Sequence, residues 1–178
     1  PHRTDPIWSK ELAPGVLYVQ YNAVDAGVVG DTAAAVTAYA RRPGFRRVVL
    51  DVRHNGGGDN RTYAPLLDAL RAPPVSRHLA VIVGRATFSA AMNFVDDVAR
   101  ATKATFVGEP TGGRPSFYGD VSDVVLPHSR IVVHVSARYW PSPVPNDRRD
   151  ALRTDVPVAL TSADWLAGRD PALAAAAR

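Results

Sequence analysis

The residues able to do chemistry gather at two points of the chain. One is Asp51-Val-Arg-His-Asn-Gly-Gly-Gly58, where successive glycines let the backbone approach a ligand closely and take positive φ angles. The other is Gly84-Arg-Ala-Thr-Phe-Ser-Ala-Ala91, which sets Ser89 at the start of a helical stretch. The first amides of a helix lack intrahelical acceptors and can stabilise a developing oxyanion, so a serine there is a candidate nucleophile. Each point also has a plain structural reading. Glycine runs make turns, serine is a common helix N-cap, and the G-x-S-x-G spacing of a hydrolase elbow is absent.

Other chemistries are poorly served. No dinucleotide fingerprint or P-loop is present, because the spaced glycines and a Lys followed by Ser or Thr are missing, also around Gly112-Gly-Arg-Pro115. No histidine pair has the H-E-x-x-H spacing, so neither a metal nor a cofactor is expected. His54, inside the glycine turn, is the histidine closest in sequence to a strand-end site and is a reserve candidate base. Of the other histidines, His78 and His128 read as loop residues and His134 as a strand residue. The absence of cysteine rules out a thiol nucleophile and a disulfide framework.

These two points must be held by a scaffold, and the pattern around them supplies one. Gly15 to Tyr21 is β-branched and aromatic and reads as a strand. Val28 to Arg42 repeats Ala and Val at helical spacing and is stopped by Pro43-Gly44. Arg46 to Val52 is a buried strand, followed by the glycines and a helix from Arg61 to Arg71. Leu79 to Val83 is the next strand, Ser89 to Ala101 the next helix, and Thr105 to Val107 a short strand. Repeated strand-helix alternation predicts an α/β fold with parallel pairing. Beyond Gly119, Val121–Leu126 and Ile131–Tyr139 predict a β-hairpin added to the sheet, and Ser162–Ala167 and Pro171–Ala177 two short helices.

The 178 residues, 46% hydrophobic, suffice for one core. Residues 15–178 read as that domain, with 1–14 an N-terminal extension or the remnant of an upstream region. A net charge of +4 with scattered basic residues argues against nucleic-acid binding. No apolar run approaches the roughly 18 residues of a membrane span.

Taken together, Asp51-Val-Arg-x-Asn-x-Gly-Gly58, Thr87-Phe-Ser-Ala-Ala91 and Val107-Gly-Glu-Pro-Thr-Gly-Gly113 follow the order and approximate spacing of the tail-specific, or C-terminal processing, serine peptidase family, which the chain resembles from about residue 15 to 173. The resemblance implies a crotonase/Clp protease-like superhelix of strand-strand-helix units with an added β-hairpin. It implies Ser89 as nucleophile, the amides of Gly57 and Ala90 as oxyanion hole, and Gly58, Gly113 and Arg114 along the substrate. A peptide or protein would be the substrate, an upstream PDZ module or helical segment the neighbour, and export or the periplasm the setting.

The sequence departs from the family at the base. Arg114 stands where the Ser-Lys branch carries its lysine, and a guanidinium stays protonated to about pH 12 or above and cannot take the serine proton. The tricorn-like branch, which the chain fits better, takes a histidine from upstream, oriented by a serine and a late acidic residue. His2 is a candidate for that histidine, and Asp147 or Asp150 for the acid. Two rivals to a peptidase stay open: a non-catalytic module binding a peptide or apolar ligand, as in the retinoid-binding branch, and crotonase-like acyl chemistry on the same oxyanion hole.

Overall fold

The computed structural model describes residues 4–25 and 27–178. His2 lies outside the described residues. A six-stranded sheet has the order β1-β2-β3-β4-β5-β8, made by Ile7–Ala13, Val16–Tyr21, Arg47–Asp51, Leu79–Val83, Thr105–Gly108 and Val156–Pro157. β1 is antiparallel to β2, and every other pairing is parallel. The predicted α/β class with a parallel-dominated sheet is what the chain adopts.

Three helices, α1 (Val29–Ala40), α2 (Ala64–Arg71) and α3 (Ala90–Ala101), connect β2 to β3, β3 to β4 and β4 to β5. All three pack on one face of the sheet, where right-handed crossovers stepping steadily in one direction must put them. Strand residues alternate between the faces, so Leu17, Val19, Val48, Leu50, Val81 and Val83 meet these helices. Val16, Tyr18, Val49, Ala80, Ile82 and Val107 face the other way. Burial on both faces explains the unbroken apolar runs. The second face is covered in part by the last helix, α5 (Pro171–Ala176), through Ala172 and Ala176; α4 (Ser162–Leu166) precedes it.

Three features depart from the sequence reading. Ile7–Ala13, assigned to an extension, forms β1, because the free edge of β2 offers a ladder to a segment too polar to announce itself. Val156–Pro157 pairs with β5 as β8. The hairpin is not added to the main sheet: β6 (Phe117–Val125) and β7 (Val132–Trp140) make a sheet of their own. Most of that ribbon is exposed, including Val121, Val124, Val133 and Val135. Among the described residues no helix is long and apolar enough to cross a membrane.

Candidate active site

The carboxyl ends of β3, β4 and β5 release three loops on the same edge of the sheet, the usual place for a site in an open parallel sheet. Buried polar side chains tie these loops together. Thr87 Oγ1 donates to the carbonyl of Val52 at 2.9 Å and accepts from the Gly84 amide at 3.1 Å. Asn55, fully buried, donates from Nδ2 to the Tyr21 carbonyl at 3.1 Å, and its own carbonyl accepts from the Phe88 amide at 3.1 Å. The Gly112 amide donates to Thr87 O at 3.1 Å, and a Cβ on Gly112 would fall 1.9 Å from the Arg85 carbonyl oxygen, so this loop lies directly on the next.

At the centre of this frame Ser89 sits at φ 54°, ψ −128°, a region that side-chain-bearing residues rarely occupy. Such a backbone costs of order 1–3 kcal/mol and persists only where the surroundings impose it. Ser89 holds the N-cap position of α3, yet its hydroxyl caps nothing. Among the described residues no side chain hydrogen-bonds to Ser89 Oγ, and the neighbouring Ala90 N–H has no acceptor. Glycine is required opposite: a Cβ on Gly57, which has φ +116°, would stand 2.7 Å from Ser89 Cβ, 3.0 Å from Ala90 N and 3.1 Å from Ser89 Oγ. The turn thus brings Gly57, Ser89 and Ala90 together. The Gly57 N–H is already engaged, donating to Asn55 Oδ1 at 3.0 Å. Because the strain at Ser89 is steric, Ser89→Gly should unfold at a temperature a few degrees above Ser89→Ala, by about 2–4 °C per kcal/mol relieved in a chain of this size. Differential scanning calorimetry of the two variants measures this.

The other candidate residues are distributed unevenly around this centre. Gly58 pairs with Val24, whose carbonyl oxygen would meet a Gly58 Cβ at 2.1 Å, so it fixes the turn. Gly113 rests on the ring of Phe88. Arg114 is exposed and lines a shallow pocket beside the hairpin. Asp150 is on the surface, 3.7 Å from Arg153. His54 is exposed and lines, with Asp170, a cavity of about 770 Å³ on the α5 side of the sheet, of which Ser89 is not a lining residue.

Asp147 is committed elsewhere. Its carboxylate accepts from Ser142 Oγ at 2.8 Å and from Arg149, whose guanidinium also reaches Asp96 of α3 at 2.8 Å. The Arg149 hydrogen bonds hold the Asp147 carboxyl well below the usual carboxylate range, against the effect of burial. Asp170 is also depressed: burial pushes it up, but hydrogen bonds from Arg53 and the Leu173 amide more than offset that. Both groups bind fewer protons folded than unfolded around their ordinary value of 3.8, so their stabilisation is complete above that pH and lost as pH falls through the lowered folded values. Thermal unfolding followed from pH 7 downward should therefore fall steeply below about pH 4, and less so in Asp147→Asn.

Sequence reasoning missed a buried polar chain beneath the first loop. Tyr18 Oη donates to Asp51 Oδ2 at 2.7 Å, and Arg53 bridges Asp51 and Asp170 at 2.7 and 2.8 Å. Burial first, then the Asp51 carboxylate, push the Tyr18 hydroxyl far above its ordinary value. The available signal was an Asp directly after the apolar run Val48-Val-Leu50 of β3, with Arg two residues on.

No family model and no curated protein matches the chain. Solved structures do. A candidate peptidase from Parabacteroides merdae superposes with TM-score 0.67 at 22% identity, over 96% of this chain and 63% of that one. The fold is shared. The photosystem II D1 C-terminal processing protease gives 0.60 at 20% identity, over 86% of this chain and 48% of its own. The tricorn protease gives 0.59 at 13% identity, over 91% of this chain and 17% of its own. This chain therefore spans under two thirds of each of these structures.

Proposed function

We propose that the chain carries the nucleophile-bearing part of a serine peptidase related to the tail-specific and tricorn-like enzymes, with Ser89 as the attacking group. The observation that carries this reading is the backbone of Ser89. A serine held at φ 54° at a helix start, its hydroxyl and the Ala90 amide beside it engaged by none of the described residues, has no role as a cap and the layout of a half-buried nucleophile. The fold shared with three peptidase structures supports it.

In the reaction, Ser89 Oγ adds to a peptide carbonyl while a base removes its proton. Negative charge passes to the carbonyl oxygen, which the Ala90 N–H meets, joined by the Gly57 N–H shared with Asn55 Oδ1. Collapse breaks the C–N bond, the amine leaves with the proton, and water then releases the acyl group from Ser89. The base is a histidine from outside the described residues, as in the tricorn-like branch, since none of them hydrogen-bonds to Ser89. The lack of a partner for Ser89 among the described residues equally suits the second reading, a binding module that has kept the fold without the base.

Treatment with a fluorophosphonate probe, read by intact mass and peptide mapping, separates the two. Labelling of the chain at Ser89, lost in Ser89→Ala, supports the nucleophile. Labelling confined to a version lengthened at its N-terminus places the base upstream. No labelling of either version rejects the hydrolase and leaves the binding module.

A further inference from the structure

A shallow pocket lies beside the candidate nucleophile, on the far side of Phe88. Its walls are Arg114, Ser116, Phe117, Tyr118, Tyr139 and Arg148. Phe88, adjacent to Ser89 in the chain, packs against Phe117 with ring centroids 5.7 Å apart, and Gly113, immediately before Arg114, rests on the Phe88 ring. An extended peptide advances about 3.3 Å per residue, so one with its carbonyl at Ser89 reaches this pocket within a few residues.

The charge of the pocket is one-sided. Arg114 and Arg148 are exposed, and among the described residues neither has a carboxylate partner. Among the described residues that line the pocket the one carboxylate, Asp147, is already taken by Arg149 and Ser142 and has 3% of its side chain exposed. Arg149, through Asp147 and Asp96, also fastens the loop bearing Arg148 to α3, the helix that begins at Ser89. Tyr118 and Tyr139, 5.0 Å apart, supply an aromatic wall. Two open guanidiniums beside aromatic rings on an anchored loop form a receptor for a planar anion, which guanidinium forks bind in bidentate fashion.

We infer that this pocket binds a carboxylate of the peptide substrate, either an acidic side chain near the bond to be cut or the peptide's own C-terminus. The inference rests on the peptidase reading for its location and deepens it by naming the substrate class. Arg114, which cannot act as a base, becomes a specificity residue, and Arg148 joins it.

The test uses fluorescence anisotropy with the Ser89→Ala chain, so that no turnover intervenes, and one short labelled apolar peptide in three forms. These carry an internal glutamate with an amidated C-terminus, glutamine in its place with the same amide, and glutamine with a free C-terminal carboxylate. One of the carboxylate forms should bind about tenfold tighter than the amidated glutamine peptide, as charge-assisted hydrogen bonds predict, and the advantage should shrink with added salt. Whichever form wins identifies the source of the carboxylate. Arg114→Gln with Arg148→Gln should abolish the advantage; both side chains are exposed, so an unchanged unfolding temperature certifies the fold. Equal binding of all three peptides, or a preference that survives the double substitution, overturns the inference. Fluorophosphonate labelling of the unsubstituted chain and of its N-terminally lengthened version judges the peptidase reading separately. Carboxylate preference without labelling of either version keeps this site and rejects the hydrolase, and labelling without preference does the reverse.

Discussion

Arg53→Ala is expected to destabilise the protein by about 3–5 kcal/mol, the usual cost of leaving a buried charge without its partner. Asp51, 2% exposed, would keep only the Tyr18 hydroxyl and the amide of residue 53. Asp170, whose Oδ1 also caps α5 through the Leu173 amide, would lose both guanidinium contacts, and with them the clamp holding α5 to the sheet. In calorimetry the loss should read as a fall in unfolding temperature of roughly 10 °C. Adding Asp51→Asn should recover part of it, because a neutral amide needs no counter-charge. A double substitution as unstable as the sum of the singles would show that Arg53 acts through packing and not through the ion pair.

Gly57→Ala should lower the rate of Ser89 acylation by a fluorophosphonate about 10²–10³-fold, the cost of an oxyanion-hole donor moved out of place, because alanine keeps the N–H but its Cβ displaces the turn from Ser89 and the Ala90 amide. A methyl group there would enter the space of Ser89 Cβ and the Ala90 amide and impose φ +116° on a residue with a side chain. The strain also costs of order 1–3 kcal/mol, so the unfolding temperature should drop by several degrees while the protein stays folded at room temperature. Gly56→Ala is the control: no atom lies within 4 Å of its added Cβ, and labelling should match that of the unsubstituted chain. If Gly57→Ala labels as fast as Gly56→Ala, the turn takes no part in holding the oxyanion. The measurement is made on whichever form of the chain proves reactive.

The frame of the site was largely legible in the sequence. Leu79 to Val83 is a strand with the bounds its apolar run implies, and Pro43-Gly44 follows the end of α1 closely. The turn residues gave positions as well: Ser89 falls at the head of α3 and the glycines follow β3. Such features are local. They depend on apolar periodicity, on residues that cannot continue a helix, and on glycine's tolerance of positive φ, all of which a few neighbouring residues decide.

What only the tertiary structure decided is which distant groups meet. β1 is a strand because β2 offers an unpaired edge, and β8, two residues long, because β5 offers another. The hairpin's apolar alternation specified two strands but not the sheet they would join. Asp147 had the character of an orienting acid, yet its lone pairs go to Ser142 and Arg149. Arg53 pairs with Asp170, more than a hundred positions away, a choice that no local pattern encodes. The sequence determined that a serine stands at a helix start beside a glycine turn. Chain packing determined that this serine is strained and that none of the described residues takes its hydroxyl, because Thr87, Asn55 and Gly112 clamp the loops on either side of it.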